Sequence, residues 1–268
     1  MPATAQRSFS PALFAFLREL AENNDRDWFA ANKERYEADV REPALEFISE
    51  FAGRLDRISP HFVADARKVG GSMFRIHRDV RFSKDKSPYK THTGIHFRHA
   101  AATDAHAPGF YLHLEPGQVF VGAGIWHPDT QAARAIREAI DEDRAGWRRA
   151  LRSKAFAERY RLTGESLKRP PAGFAADHPL IDDLKRKDFI ATTPLTQRAV
   201  TSPGFIDEFT KTCAGDERAC SLQVHRRGRL PARSGRARPP RTRRAPRRAA
   251  RARGRGSARA ARPRRRSS

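Results

Sequence analysis

"FYLHLEPGQVFVGAGIW", residues 110–126, decides the fold class. Before Pro116-Gly117, Phe110, Leu112 and Leu114 alternate with Tyr111, His113 and Glu115. A period of two is that of a strand with one buried face. Pro-Gly between two such runs predicts a hairpin turn. Upstream, "GIHFRHA" (94–100) sets Ile95 and Phe97 against His96 and Arg98, and "VGGSMFRIH" (69–77) sets Phe74 and Ile76 against Arg75 and His77. Consecutive strands predict an antiparallel meander of about four or more strands.

The flanks read as helices. In "SFSPALFAFLRELAENN" (8–24), Ser10 suits a cap and Pro11 a first helical position, and Leu13, Phe16, Leu17 and Leu20 recur at helical spacing. A second start falls at Asp25, with an apolar stripe from Trp28 to Ile48 and a kink or break expected before Pro43. After Pro128 the pattern is again helical; a Pro- and Gly-punctuated loop then leads to a helix around residues 180–187, and two short helices are expected over 193–213. The expected architecture is α+β, a sheet covered by helices.

The chain has 268 residues and a net charge of +22. From Ser221 to Ser268 there are 19 arginines and no acid, which leaves +3 for the rest. The expected organisation is therefore a single domain over 1–212 and an Arg-rich disordered tail over 213–268. Such a tail would bind nucleic acid without sequence preference. Its Arg-Ala-Pro-Gly alphabet, with neither lysine nor aromatic residue, is also what a GC-rich frame yields when translated out of frame. Cys213 and Cys220 make no disulfide framework or metal motif, which suits a reducing, cytoplasmic setting. The apolar run near the start is broken by Arg18 and Glu19, so a signal peptide or membrane association is not expected.

"FRIHRDVRFSKDKSPYKTHTG" (74–94) is the candidate site. Arg75, Arg78, Arg81, Lys84, Lys86 and Lys90 surround Asp79 and Asp85, with Ser83 and Tyr89 among them. Guanidinium and ammonium groups beside backbone N–H donors suit a phosphate or carboxylate. His77 and Asp79 are the candidate proton-transfer residues, and His113 is a candidate ligand-binding residue if the polar strand faces converge. Lys168 and Arg169 in "SLKRPPAGF" would form a second wall, and Trp126 and His127 a floor. The competing reading is a solvated loop in which the aspartates pair with neighbouring cations. His77, His96, His113 and Glu115 offer metal-ligand chemistry but no strong spacing motif, so no metal is assigned and the cofactor is left open. Fingerprints for nucleotide phosphates or a serine nucleophile are absent.

Four stretches carry a resemblance: "FSPALFAFLRELAENNDRDWFAANKERYE" (9–37), "FRIHRDVRFSKDKSPYKT" (74–91), "PGFYLHLEPG" (108–117) and "ESLKRPPAGFAADHPLIDDLKRKDF" (165–189). Together they resemble DUF2461, a family of bacterial and fungal proteins without assigned catalytic residues. The resemblance therefore implies no particular activity. Members of that family end in an apolar segment where this chain turns Arg-rich. The function expected from the residues is binding of a small anionic ligand, with an enzymatic role open; the alternatives are a nucleic-acid-binding module or an interaction protein without a small ligand.

Overall fold

The structure, a computed structural model, describes residues 7–100 and 106–224. Ser10 Oγ accepts from Ala12 N at 3.2 Å and caps α1 (Pro11–Glu22). Asp25 caps α2 (Arg26–Ala31), its Oδ1 accepting from Asp27 N and Trp28 N at 2.9 and 2.8 Å. Next, α3 (Lys33–Tyr36) runs through a π-helical turn, Glu37–Arg41, into α4 (Glu42–Ile58). The irregularity expected before Pro43 is this turn. Proline has no N–H for the ladder and its ring crowds the preceding carbonyls, and a wider turn relieves both.

The sheet contains β1 (Thr93–Arg98), β2 (Gly109–Glu115), β3 (Gln118–Ile125), β4 (Arg161–Thr163) and β5 (Phe189–Leu195). Its order is β1-β2-β3-β5-β4, antiparallel throughout. Between β3 and β4 lie α5 (Thr130–Glu142), α6 (Arg144–Arg152) and α7 (Lys154–Arg159). A single turn, α8 (Ile181–Leu184), precedes β5, and α9 (Gln197–Val200) and α10 (Phe205–Val224) follow it. Most of the Arg-rich tail lies outside the described residues.

The hairpin at Pro116-Gly117 forms as expected, with Glu115 opposite Gln118 and Gly117 at φ 84°. One sheet face packs into the main core. Ile95, Phe97, Phe110, Leu112, Leu114 and Val121 meet Phe47 and Phe51 of α4 and Phe205 and Phe209 of α10 there. A smaller core joins Ile125 and Phe189 to Ile136 and Ile140 of α5 and Trp147 of α6.

Two expectations need correction. "VGGSMFRIH" is not a regular strand: Met73 bridges Ile95 and His77 bridges Tyr89, so four steps on one side face six on the other. The slip prevents a continuous ladder, and residues 72–92 form an irregular ribbon instead. Also, β5 occupies "FIATTPL", part of which was expected to start a helix. Its Thr residues are β-branched and its Pro194 sits near the strand end, where the missing donor matters least.

Candidate functional site

Register places Gly94 and His96 of β1, Tyr111, His113 and Glu115 of β2, and Phe120 and Gly122 of β3 on the sheet face opposite the main core. The ribbon covers part of this face. Phe74, expected in the core, turns over it, its ring 6.0 Å from that of His96 and 6.1 Å from that of Tyr111. Gly94 allows this close approach: a Cβ there would lie 2.6 Å from Tyr111 Oη and 3.1 Å from Phe74. Only a glycine lets the phenol lie flat on β1.

A hydrogen-bonded chain runs along β2. Tyr111 Oη is 3.0 Å from His113 Nδ1, and His113 Nε2 is 3.0 Å from Glu115 Oε2. Thr91 Oγ1 donates to Glu115 Oε1 at 3.1 Å. His113 is buried and stacked on Phe120 at 4.7 Å, which fixes the ring plane. Burial, and then the Glu115 charge, push the Tyr111 phenol well above its usual range. Residues i, i+2 and i+4 of a strand project to one side, and that period brings Tyr111, His113 and Glu115 into line.

His92 completes the cluster, its ring 4.6 Å from that of His113. Burial first, and then His113, lower its pKa to about 4. Lys90 and Arg78 act on it in the same sense. Lys90 itself is half-buried, with Nζ 5.4 Å from the centre of the Phe74 ring, and burial and then Arg75 lower its pKa. One carboxylate and two imidazoles, from Glu115, His92 and His113, present ligand atoms within 4.8 Å of one another. They are the residues that could hold a metal ion.

The remaining expected site residues are distributed differently. Arg78 N donates to Pro88 O at 2.9 Å and closes the base of a loop over residues 78–88. Inside that loop Arg78 pairs with Asp85, Arg81 pairs with Asp79 at 2.6 Å, and Lys86 Nζ donates to Val80 O at 3.0 Å. The Ser83 amide donates to Val80 O at 3.4 Å, and Lys84 is exposed. Much of the basic motif is thus spent on folding its own loop. His77 is exposed, its ring against those of Phe29 and Tyr89. Tyr89 is buried and stacked on Phe29 at 4.1 Å, a core contact. Arg75 is exposed and lies close enough to act on both Lys90 and Asp79.

Lys168 and Arg169 follow β4, the edge strand opposite β1. Trp126 and His127 follow β3 at the end away from Glu115, an eight-residue strand or about 25 Å distant. There His127, at φ 46°, places Nδ1 2.7 Å from Asp188 Oδ1. The structure therefore brings Lys90 and His113 to either side of His92, with Arg75 acting on Lys90, and leaves Lys168, Arg169, Trp126 and His127 elsewhere. His92 and Thr91 were missed by sequence reasoning. They precede β1 without periodic context, and the only available signal was two polar side chains immediately before an alternating run.

A five-stranded antiparallel sheet with helices packed on one face, and a basic ribbon laid on the other, defines this as an α+β protein. Residues 12–216 match the family described as conserved hypothetical protein (DUF2461), and the chain belongs to that family. No curated protein and no solved structure matches the chain.

Proposed function

We propose that this protein binds a small anionic ligand, bearing a phosphate or a carboxylate, where Lys90 and Arg75 border the Tyr111–His113–Glu115 chain. The observation that carries this reading is the state of Lys90. Its ammonium is half-buried over the Phe74 ring, and among the described residues no carboxylate pairs with it. A partly desolvated cation without a counter-charge costs free energy. The aromatic face offsets about 0.5–1 kcal/mol of that, and a bound anion would offset more. Arg75 adds a second donor group of the same sign on the same ribbon.

The chemistry that fits beside such an anion is proton transfer. Glu115 is more exposed than the buried His113, and Tyr111 lies on the other side of that imidazole. An imidazole between a carboxylate and a phenol passes a proton without moving its ring. An enzymatic role follows from this reading, with Glu115 at the ligand and His113 behind it. Among the described residues no helix is long and apolar enough to cross a membrane.

The test is thermal unfolding with inorganic phosphate, pyrophosphate and small carboxylates, for wild type, Lys90→Met and Arg75→Ala. At an anion concentration of 100 Kd, binding stabilises the fold by about 2.7 kcal/mol. Wild type is expected to gain this with at least one anion, and Lys90→Met to lose it. A wild type that no anion stabilises would remove the proposal.

One observation favours a nucleic-acid interface as a second reading. Phe82 is 95% exposed in the basic loop, and the Arg81 guanidinium lies 5.8 Å from its ring. An exposed ring flanked by cations is a surface on which a single-stranded base stacks. If that reading is right, Phe82→Ala weakens oligonucleotide binding while leaving the anion response unchanged.

A further inference from the structure

We infer that His92, His113 and Glu115 form a site for one divalent first-row transition metal ion, of the zinc or ferrous type, with open coordination positions that take the anionic ligand. The inference deepens the anion-binding reading of this sheet face and names what that anion would meet there.

The donor set is the first argument. Two imidazoles and one carboxylate are a ligand set that leaves coordination positions free for water or substrate. Adjacent ligand atoms, each about 2.1 Å from a metal, lie about 3.0–3.4 Å apart across one edge of the coordination shell. His113 Nε2 and Glu115 Oε2 are 3.0 Å apart, the length of such an edge. The His92 donor lies within 4.8 Å of both, and rotation of this half-buried side chain closes the remainder.

The groups behind the ligands are the second argument. A ligating imidazole is normally oriented by a hydrogen bond at its other nitrogen, and a ligating carboxylate by a bond at its other oxygen. Both are in place: Tyr111 Oη lies at His113 Nδ1, and Thr91 Oγ1 donates to Glu115 Oε1. The Tyr111 hydroxyl can donate to Nδ1 or accept from it. Without a metal, an ionised Glu115 accepts from a proton-bearing Nε2, and a neutral His113 then takes the phenol's hydrogen bond at Nδ1. With a metal on Nε2 the ring proton sits on Nδ1 and is donated to Tyr111 Oη. The buried chain thus supports either tautomer without rearrangement.

Other His–carboxylate pairs lack this arrangement. His127 with Asp188 and His178 with Asp141 each join one imidazole to one carboxylate. Among the described residues only His92, His113 and Glu115 bring three such ligands together. Charge supplies the link to the anion. A dication held by one carboxylate keeps a net positive charge, and Lys90 adds to it. An anion completing the coordination shell balances both.

The test uses the full chain after removal of metals with EDTA. Zn2+ and Co2+ are titrated calorimetrically into wild type, Glu115→Gln and His92→Gln, with circular dichroism to verify the fold of each. Wild type is expected to bind one ion per chain. Each variant should lose at least about 100-fold in affinity, and Tyr111→Phe about 10-fold, as for loss of an orienting partner. On metal addition, 15N spectra should show the His113 ring proton moving from Nε2 to Nδ1. His92 lies on the half-buried ribbon, so His92→Gln remains informative if Glu115→Gln fails to fold. Wild type that binds neither ion, or variants that bind as tightly as wild type, would overturn the inference. Anion stabilisation of the EDTA-treated protein separates the two ideas: if it persists without metal binding, the anion site stands and the metal site falls.

Discussion

Asn24 holds both backbone groups of Tyr89: its side-chain amide donates to Tyr89 O and its side-chain oxygen accepts from Tyr89 N, each at 3.0 Å. A single side chain thereby ties the loop after α1 to the ribbon. The Tyr89 ring, stacked on Phe29, anchors the same point from the core side. Lys90 and His92 follow directly, so their placement over the sheet depends on this tie.

Replacing Asn24 by Ala leaves a partly buried N–H and C=O unpaired. The expected loss is about 1–3 kcal/mol of stability, read from urea unfolding. Asn24→Asp keeps the acceptor and loses the donor, so it should fall between Ala and wild type at neutral pH. A loss below ~0.5 kcal/mol, the range of ordinary surface changes, would show that the ribbon is held by its other contacts.

Acid should loosen the 78–88 loop late. The Arg81 side chain, first by its hydrogen bond and then through its backbone N–H, lowers the Asp79 pKa from 3.8 to about 2. Asp85 is lowered in the same direction by Ser87 and Arg78. A carboxylate depressed in the folded state stabilises the fold fully above its unfolded pKa and loses that contribution as pH falls through its folded one. The contribution of Asp79 is therefore intact above pH 3.8 and lost on approach to about pH 2. Carboxylate NMR titration checks this: a midpoint for Asp79 near 3.8 would mean that the Arg81 pair does not persist in solution.

Ending the chain at Val224 removes all 19 tail arginines and leaves a net charge of +3. The main core uses Phe205, Ile206, Phe209 and Cys213 of α10, and Tyr160 Oη donates to Thr212 O at 3.1 Å. Those contacts survive the shortening, so the melting temperature should stay within error of the full chain. Non-specific DNA binding should fall sharply, and the steep salt dependence of the full chain should flatten. Unchanged DNA affinity in the shortened chain would move the nucleic-acid contact into the α+β domain, to the loop that carries Phe82.

The strands β1, β2 and β3 and their shared apolar face were legible because alternation is local. The same period that buries Phe110, Leu112 and Leu114 aims Tyr111, His113 and Glu115 to the other side. Helix starts were legible for the same reason: Ser10 and Asp25 cap the N–H groups of their own next residues. The basic motif was recognised but its charges were not apportioned. Spacing alone does not say whether Arg78 meets a ligand or Asp85, because both require the same side chain.

By itself the sequence determined an antiparallel hairpin with helices around it, and a polar strand face carrying Tyr111, His113 and Glu115. Only the tertiary structure decided what covers that face. The slip between the Met73–Ile95 and His77–Tyr89 bridges turns the ribbon over, puts Phe74 on Tyr111 and brings His92 against His113. The strand order also separates Lys168 and Arg169 from the cluster by placing β4 at the far edge. Periodicity encodes which way a side chain points along its own strand. The approach of a second segment depends on long-range pairing and on small residues such as Gly94, whose missing Cβ makes room for a ring that the local pattern does not mention.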